Sequence, residues 1–238
     1  MKIALIGYGK MGKAIEEIAL QQGHEIVLKI NSHNKELLSS SSLQKADVAI
    51  EFSTPESAIE NIEYCLQAGI PLVCGTTGWT NALPQIQARC TALNGAMVYA
   101  SNFSIGVNLF FELNTKLAAL MANQPQYEVI LEEIHHTQKK DAPSGTALTL
   151  ATQILAYNKK KKQWVNDISD NPEDLEIISQ RIDPTPGTHS VKYASVVDDI
   201  EIIHTAHNRT GFAAGAVLAA TFIKEKKGIY TMKDVLGL

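Results

Sequence analysis

At 238 residues, with 45% hydrophobic and 19% charged residues, the chain has an ordinary globular composition and room for one large domain or two modest ones. Its formal net charge of −4 gives no global attraction to nucleic acid or an acidic membrane, so any affinity for anions must be local. No apolar run approaches the ~20 residues that span a bilayer. Cys65, Cys74 and Cys90 lack C-x-x-C spacing and read as reduced thiols of a cytoplasmic protein, not as a disulfide framework or zinc site.

Lys2 to Ile6 enters strand pattern at once, which leaves no room for a signal peptide. Met11, Ile15, Ile18 and Ala19 then recur at helical spacing until Gly23 ends the helix. Ile26, Leu28 and Ile30 alternate as a second strand, and Val48 to Phe52 forms a third. A helix from about Pro55 to Gln67 follows, closed by Gly69. Leu72 to Cys74 makes a fourth strand, and Met97 to Ala100 a fifth after a helix around Gln85. This alternation predicts a Rossmann-type parallel sheet with helices on both faces.

Beyond Asn102 the pattern changes. A long apolar helix (about Ile105 to Ala122) precedes a strand from Glu128 to His135 and a helix from Ser144 to Tyr157. Lys159 to Lys162 reads as a solvated charge run. Asn166 to Thr188, with Pro172, Pro184, Pro186 and Gly187, reads mainly as loop, followed by strand-like runs Val191 to Val197 and Ile200 to Ala206. Ala213 to Lys226 is a helix rich in small residues. The expected fold class is therefore α/β. A dinucleotide-binding domain spans 1–102 and 208–238, with the C-terminal helix returning to it. An α+β substrate-binding and oligomerisation domain with an open mixed sheet spans 103–207.

Gly7-Tyr8-Gly9-Lys10-Met11-Gly12 lies between the first strand and first helix with G-x-G-x-x-G spacing. Such glycines let the backbone turn tightly and approach a pyrophosphate at a helix N-terminus. The second strand should end on an acidic residue for the adenosine ribose, but the chain has Asn31-Ser32-His33 there. Asn31 can bind a ribose hydroxyl without repelling a 2′-phosphate, and Lys10 and Lys35 are the nearby cations, so NADH and NADPH both remain open. Gly75-Thr76-Thr77-Gly78 and Ala100-Ser101-Asn102-Phe103 follow strand ends, where open α/β sheets bind ligands. Ordinary turn chemistry reads them equally well.

The segment Glu133 to Thr146 concentrates acid/base groups. His135 and His136 end a strand and should point to opposite faces, which places them poorly for chelating one ion; no metal is expected. Lys139 follows in the loop, and Ser144 is the expected N-cap of the next helix. Free N–H groups at Ser144, Gly145 and Thr146, with the helix dipole, make a site for a carboxylate or phosphate. A histidine, or a lysine in an electropositive pocket, can act as a general acid near neutrality.

With these motifs in one order, the chain resembles the 4-hydroxy-tetrahydrodipicolinate reductase (dihydrodipicolinate reductase) family of the diaminopimelate–lysine pathway, over essentially its whole length. The run His135 to Ala147 (H-H-x-x-K-x-D-A-P-S-G-T-A) is the most specific match, and Gly187-Thr188-His189 and His207 to Ala213 also fit. The resemblance implies that Gly7, Tyr8, Gly9, Lys10, Met11, Gly12 and Asn31 hold NADH or NADPH. Gly75, Thr76, Thr77, Ala100, Ser101, Asn102 and Phe103 would line the nicotinamide side. His135 would be the acid/base residue and Lys139 the proton donor, while His136, Ser144, Gly145 and Thr146 bind the carboxylates of a small dicarboxylate. It further implies hydride transfer to C4 of the cyclic substrate and a cytoplasmic homotetramer assembled through the substrate-domain sheet.

Two departures from the family bear on cofactor choice: a glycine loop one residue shorter than in many relatives, and Asn31 in the acidic position. Glu51 and Arg209 lie in matching segments, where structural salt bridges explain them as well as function does. An aspartate-type dehydrogenase and a non-catalytic NAD(P)H sensor are the rival readings.

Overall fold

The computed structural model describes residues 1–208 and 210–238, so Arg209 lies outside the described residues. Two compact units divide the chain, Met1–Ile105 with Thr210–Leu238, and Gly106–Arg209.

The first unit is built on six strands, β1 (Lys2–Ile6), β2 (Glu25–Ile30), β3 (Val48–Glu51), β4 (Leu72–Cys74), β5 (Ala96–Tyr99) and β11 (Gly228–Tyr230). They lie in the order β11-β5-β4-β3-β1-β2, with every pairing parallel. Strands β1, β3 and β4 are apolar along almost their whole length because both faces are covered. Ile3, Leu5, Val48, Ile50, Val73 and Val98 face one core with α1 (Lys10–Gln21) and α7 (Thr210–Ile223). Ala4, Ile6, Ala49, Leu72 and Met97 face another with α3 (Pro55–Gln67) and α4 (Leu83–Ala92). This is the expected Rossmann-type parallel sheet. The chain leaves β2 on one side of β1 and returns as β3 on the other, so the sheet order reverses beside the Gly7–Gly12 loop.

α7 packs on α1 and on the sheet, contributing Ala213, Ala216, Val217, Ala220 and Ile223 to the core. Its small side chains let it come close, and Gly215 lies directly on the Phe103 carbonyl.

The second unit carries β6 (Glu128–His135), β7 (Gln163–Val165), β8 (Asp174–Arg181), β9 (Gly187–Ala194) and β10 (Asp199–Ala206) in the order β10-β9-β6-β8-β7. β9 is antiparallel to both β10 and β6, while β8 is parallel to β6 and β7, giving the expected open mixed sheet. One face is closed by α5 (Ile105–Met121) and α6 (Gly145–Tyr157) over Val129, Leu131, Leu175, Ile177, Val191 and Tyr193. Along β6 burial alternates strictly, with Val129, Leu131, Glu133 and His135 inward.

The expectation of a loop over Asn166 to Thr188 is corrected, because β8 occupies its middle. Leu175 and Ile177 are fully buried, and flanking prolines and charges mask their two-residue alternation. The Lys159–Lys162 run is not simply solvated either. Lys160 and Lys161 both pair with Glu128, at 3.0 and 3.2 Å, and Lys161 is buried.

Candidate active site

In the first unit, Gly7 has φ +97°, and a Cβ there would stand 2.0 Å from the Phe52 carbonyl oxygen. A Cβ on Gly12 would lie 2.4 Å from the Gly7 carbonyl oxygen. Both positions therefore exclude side chains through backbone contacts. Gly9, by contrast, has nothing within 4 Å and faces open space at the N-cap of α1. Glycines that tighten the turn and a third that leaves room over a helix start are what a pyrophosphate requires.

A cavity of about 450 Å³ opens there, lined by Gly7, Tyr8, Gly9, Asn31, Ser32, His33, Lys35, and by Phe52, Ser53 and Thr54 at the end of β3. Its position at the point where strand order reverses fits a dinucleotide. Asn31 Oδ1 accepts the His33 N–H at 2.8 Å, which leaves its amide group to serve as a donor. Lys35 is paired with Glu60 at 2.6 Å, and Tyr8 donates its hydroxyl to Glu16.

The other expected cofactor residues lie off this cavity. Lys10 is exposed, Met11 packs on the core, and Gly75 abuts the Phe52 ring, 2.2 Å from a would-be Cβ. Thr76 is buried, accepting the Ser53 N–H at 2.8 Å on its hydroxyl and the Trp79 Nε1–H at 2.7 Å on its carbonyl. Thr77 and Ser101 are exposed and Ala100 half-buried, whereas Asn102 Oδ1 accepts the Ser104 N–H at 2.8 Å. The Phe103 side chain belongs to the core, 5.6 Å from the Phe52 ring centroid. Only the backbone at 103 remains for a ligand. Phe52, Ser53 and Thr54 were not singled out from the sequence; a strand end beside the glycine loop was the available signal. Glu51 is fully buried and, among the described residues, is held by hydrogen bonds from Ser53, Asn61 and Cys74 rather than by the salt bridge considered above.

In the second unit the acid/base groups gather at the end of β6. His135 is buried beside Glu133 on the same strand face. Register pairs Glu133 with His189 of β9, and the His135 and His189 rings meet edge to face with centroids 5.0 Å apart. Burial pushes His135 down to about 4, with His189, Lys139 and Arg181 adding to the fall and Glu133 opposing it. His135 is therefore a neutral imidazole at pH 7. Burial alone would raise Glu133, but bonds from His189, Ser144 and Ser179 outweigh it and hold the carboxyl far below the usual range.

Lys139 is ion-paired to both oxygens of Asp141 at 2.8 Å. Its loop is strapped by Thr137, whose N–H and hydroxyl donate to Asp183 at 3.1 and 2.6 Å, and by Arg181, which donates to the Asp141 carbonyl at 2.6 Å. His136 is half-buried, and its buried Nδ1 has no partner among the described residues.

Ser144 is the N-cap of α6, its hydroxyl accepting the Ala147 N–H at 3.1 Å. The expectation of three free N–H groups needs correction, because the Ser144 N–H is donated to Glu133, 3.1 Å from each oxygen. Its hydroxyl is also bonded to His189 Nε2 at 3.1 Å. Gly145 is exposed with nothing within 4 Å of a would-be Cβ, so an anion can reach that turn of the helix, where Thr146 follows.

Glu133, His135 and His189 bring ligand-type atoms within 4.8 Å of one another. The Glu133 oxygens, however, already accept from Ser144, Ser179 at 2.8 Å and Arg181 at 3.4 Å. A cation would have to displace these donors beside an arginine, so hydrogen bonding accounts for the cluster better than chelation does.

Two family models match the chain: "Dihydrodipicolinate reductase, N-terminus" over residues 1–103 and "Dihydrodipicolinate reductase, C-terminus" over residues 106–236. A 4-hydroxy-tetrahydrodipicolinate reductase of Christiangramia forsetii is 51% identical over 239 residues, covering 100% of this chain and 98% of its own. Its counterpart in Zymomonas mobilis is 38% identical with the same coverage. A dipicolinate-bound dihydrodipicolinate reductase from Paenisporosarcina sp. TG-14 superposes with TM-score 0.77 at 25% identity over 97% of each chain. A probable dehydrogenase from Thermotoga maritima shares the fold alone, with TM-score 0.57 and 9% identity, covering 99% of this chain and 92% of its own.

Proposed function

The chain belongs to the dihydrodipicolinate reductase family, and from that premise we propose how its residues divide the work of the reaction. The protein is an NAD(P)H-dependent oxidoreductase of lysine and diaminopimelate biosynthesis that reduces 4-hydroxy-tetrahydrodipicolinate to tetrahydrodipicolinate, with loss of water. The observation that carries the assignment is the convergence of neutral His135, the Lys139–Asp141 pair and the open α6 start in one strand-end loop.

Residues Gly7 to Gly12 and Asn31 hold the dinucleotide, while Gly75, Thr76, Thr77 and Ala100 to Phe103 border the nicotinamide. When bound, the cofactor supplies the hydride. The substrate is a small dicarboxylate, a reading supported by the dipicolinate bound to the Paenisporosarcina enzyme. Gly145 and Thr146 at the helix start, with His136 and the Ser144 cap, receive its carboxylates. A carboxylate arriving there competes with Asp141 for the Lys139 ammonium, which frees the lysine to turn toward the substrate. Lys139 then delivers the proton that balances hydride addition across the conjugated imine. His135, already neutral at pH 7, accepts protons and needs an anionic ligand beside it to hold one. An imidazole that is neutral at pH 7 is an acceptor, which leaves Lys139 as the donor.

The test is oxidation of NADH and NADPH in parallel, with substrate made in situ from pyruvate and aspartate semialdehyde by a synthase. Substrate-dependent oxidation of both is expected, because Asn31 carries no charge to repel a 2′-phosphate. Oxidation of NADH alone would discard the tolerance assigned to Asn31. If neither were oxidised while both still bound, the assignment would fail and a nucleotide sensor would replace it.

The protein is further assigned to the cytoplasm as a homotetramer built through the second sheet. Ile130, Ile134 and Ile178 are only partly buried on the face away from α5 and α6, and Ile203 remains 59% exposed. Apolar side chains on the outer face of a sheet suit burial against another copy. Sedimentation should return the mass of four chains, and Ile203→Asp should lower it; a wild-type monomer at micromolar concentration would remove this assignment.

A further inference from the structure

A fully buried carboxylate is costly unless donors surround it, and Glu133 is surrounded closely. Ser144 N–H donates to both oxygens at 3.1 Å, Ser179 Oγ to one at 2.8 Å, and Arg181 approaches the same oxygen at 3.4 Å. The second oxygen, Oε2, faces two imidazoles, with His135 Nδ1 at 3.5 Å and His189 Nε2 at 3.6 Å. Four segments of chain thus converge on one side chain: β6 itself, β8, β9 and the start of α6.

We propose that Glu133 is a positioning residue for the reduction, fixing the tautomer of His135 and anchoring the α6 start with the same carboxylate. The inference rests on the assignment of His135 as the acid/base group.

The tautomer follows from local geometry. His135 Nδ1 is buried and has no hydrogen-bond partner among the described residues, so Glu133 Oε2 is the acceptor it faces. At 3.5 Å the contact is electrostatic; catalytic hydrogen bonds are often this long before a ligand binds. A proton on Nδ1 is attracted by the carboxylate, whereas a lone pair there would be repelled by it. The proton therefore resides on Nδ1, and Nε2 carries the lone pair. Nε2 lies on the side of Gly187, where even a Cβ would come within 3.1 Å of it. The absence of a side chain at 187 keeps that nitrogen uncovered. Glu133 acts through His135 and touches no reacting atom, as a carboxylate does when it orients a working imidazole.

Anchoring follows from the hydrogen bonds to Ser144. They set the first residue before α6 relative to β6, so one carboxylate fixes both the imidazole and the helix start assigned to the substrate. His189, bridging Glu133 and the Ser144 hydroxyl, closes the arrangement.

The experiment is NMR of the full-length protein labelled with 15N-histidine, with the His135 signals assigned by their loss in His135→Asn. Wild-type His135 should be protonated on Nδ1 at pH 7; protonation on Nε2 would overturn the proposal without any Glu133 variant. Glu133→Gln should lose that tautomer preference and lower kcat about ten- to a hundredfold, with NADH affinity unchanged. Retention of both the tautomer and kcat in Glu133→Gln would equally overturn it. Should Glu133→Gln fail to fold, the wild-type spectrum alone decides. Full turnover in His135→Asn would instead strike the assignment of His135, a distinct failure from that of Glu133.

Discussion

Lys139→Ala is expected to lower turnover by about 10²- to 10⁴-fold, the range over which a positioned acid or base accelerates a reaction. Affinity for NADH should stay within about twofold, since Lys139 is not among the residues assigned to the dinucleotide. Two components of the loss can be separated. Removing a cation from an anion site weakens substrate binding and raises KM, whereas removing the proton donor lowers kcat. Lys139→Gln, which is one atom shorter and keeps a hydrogen-bond donor but cannot give a proton at neutral pH, should recover part of the KM effect and none of kcat.

Asp141→Asn provides the converse. Lys139 is held by both Asp141 oxygens at 2.8 Å, so loss of that charge removes the competitor a substrate carboxylate must displace. KM should fall or hold while kcat changes by less than in Lys139→Ala. Steady-state kinetics with the coupled synthase, alongside NADH titration by fluorescence, checks all three variants. Wild-type kcat in Lys139→Ala would remove the lysine from the mechanism.

The sequence made some of this arrangement legible and hid the rest for identifiable reasons. The helix over Pro55–Gln67 and the strands Leu72–Cys74 and Glu128–His135 stand where periodicity and their bounding residues put them. β8 was hidden because only Leu175 and Ile177 of its eight residues face a core, and prolines flank it. The strand matters to the site, since β8 brings Ser179 and Arg181 to Glu133. Glu133 itself sits two residues before His135 and so on the same strand face, a relation visible in the sequence but indistinguishable from a surface glutamate. Only pairing with His189 across β9 reveals that this face is buried. Ser144 illustrates the opposite limit. Its capping role was legible from position, whereas the capture of its N–H by Glu133 depends on a contact eleven residues away in the chain.

Gly215→Ala is expected to be strongly destabilising, because the new Cβ would stand 1.7 Å from the Phe103 carbonyl oxygen and 2.8 Å from its carbon. Both are backbone atoms, so no rotamer change relieves the contact, and either α7 or the 103 segment must move. α7 cannot shift freely, for its residues 213, 216, 217, 219, 220 and 223 are fully buried in the same core. Overpacking of this kind costs about 3 kcal/mol, at the upper end of the usual range. In a chain of this size that corresponds to a fall in Tm of about 6–12 °C. If the 103 segment yields instead, the Ala100–Phe103 strand end moves and NADH affinity falls with stability. Gly9→Ala separates the two effects. Gly9 has φ −92° and open space around it, so alanine fits the backbone and Tm should hold, while the methyl group intrudes where a pyrophosphate approaches. Thermal unfolding and NADH titration of the two variants should therefore diverge, one losing stability and the other losing only ligand. Wild-type Tm in Gly215→Ala would mean that the Phe103 backbone gives way without cost, and the close seat of α7 would then contribute nothing to holding that strand end in place.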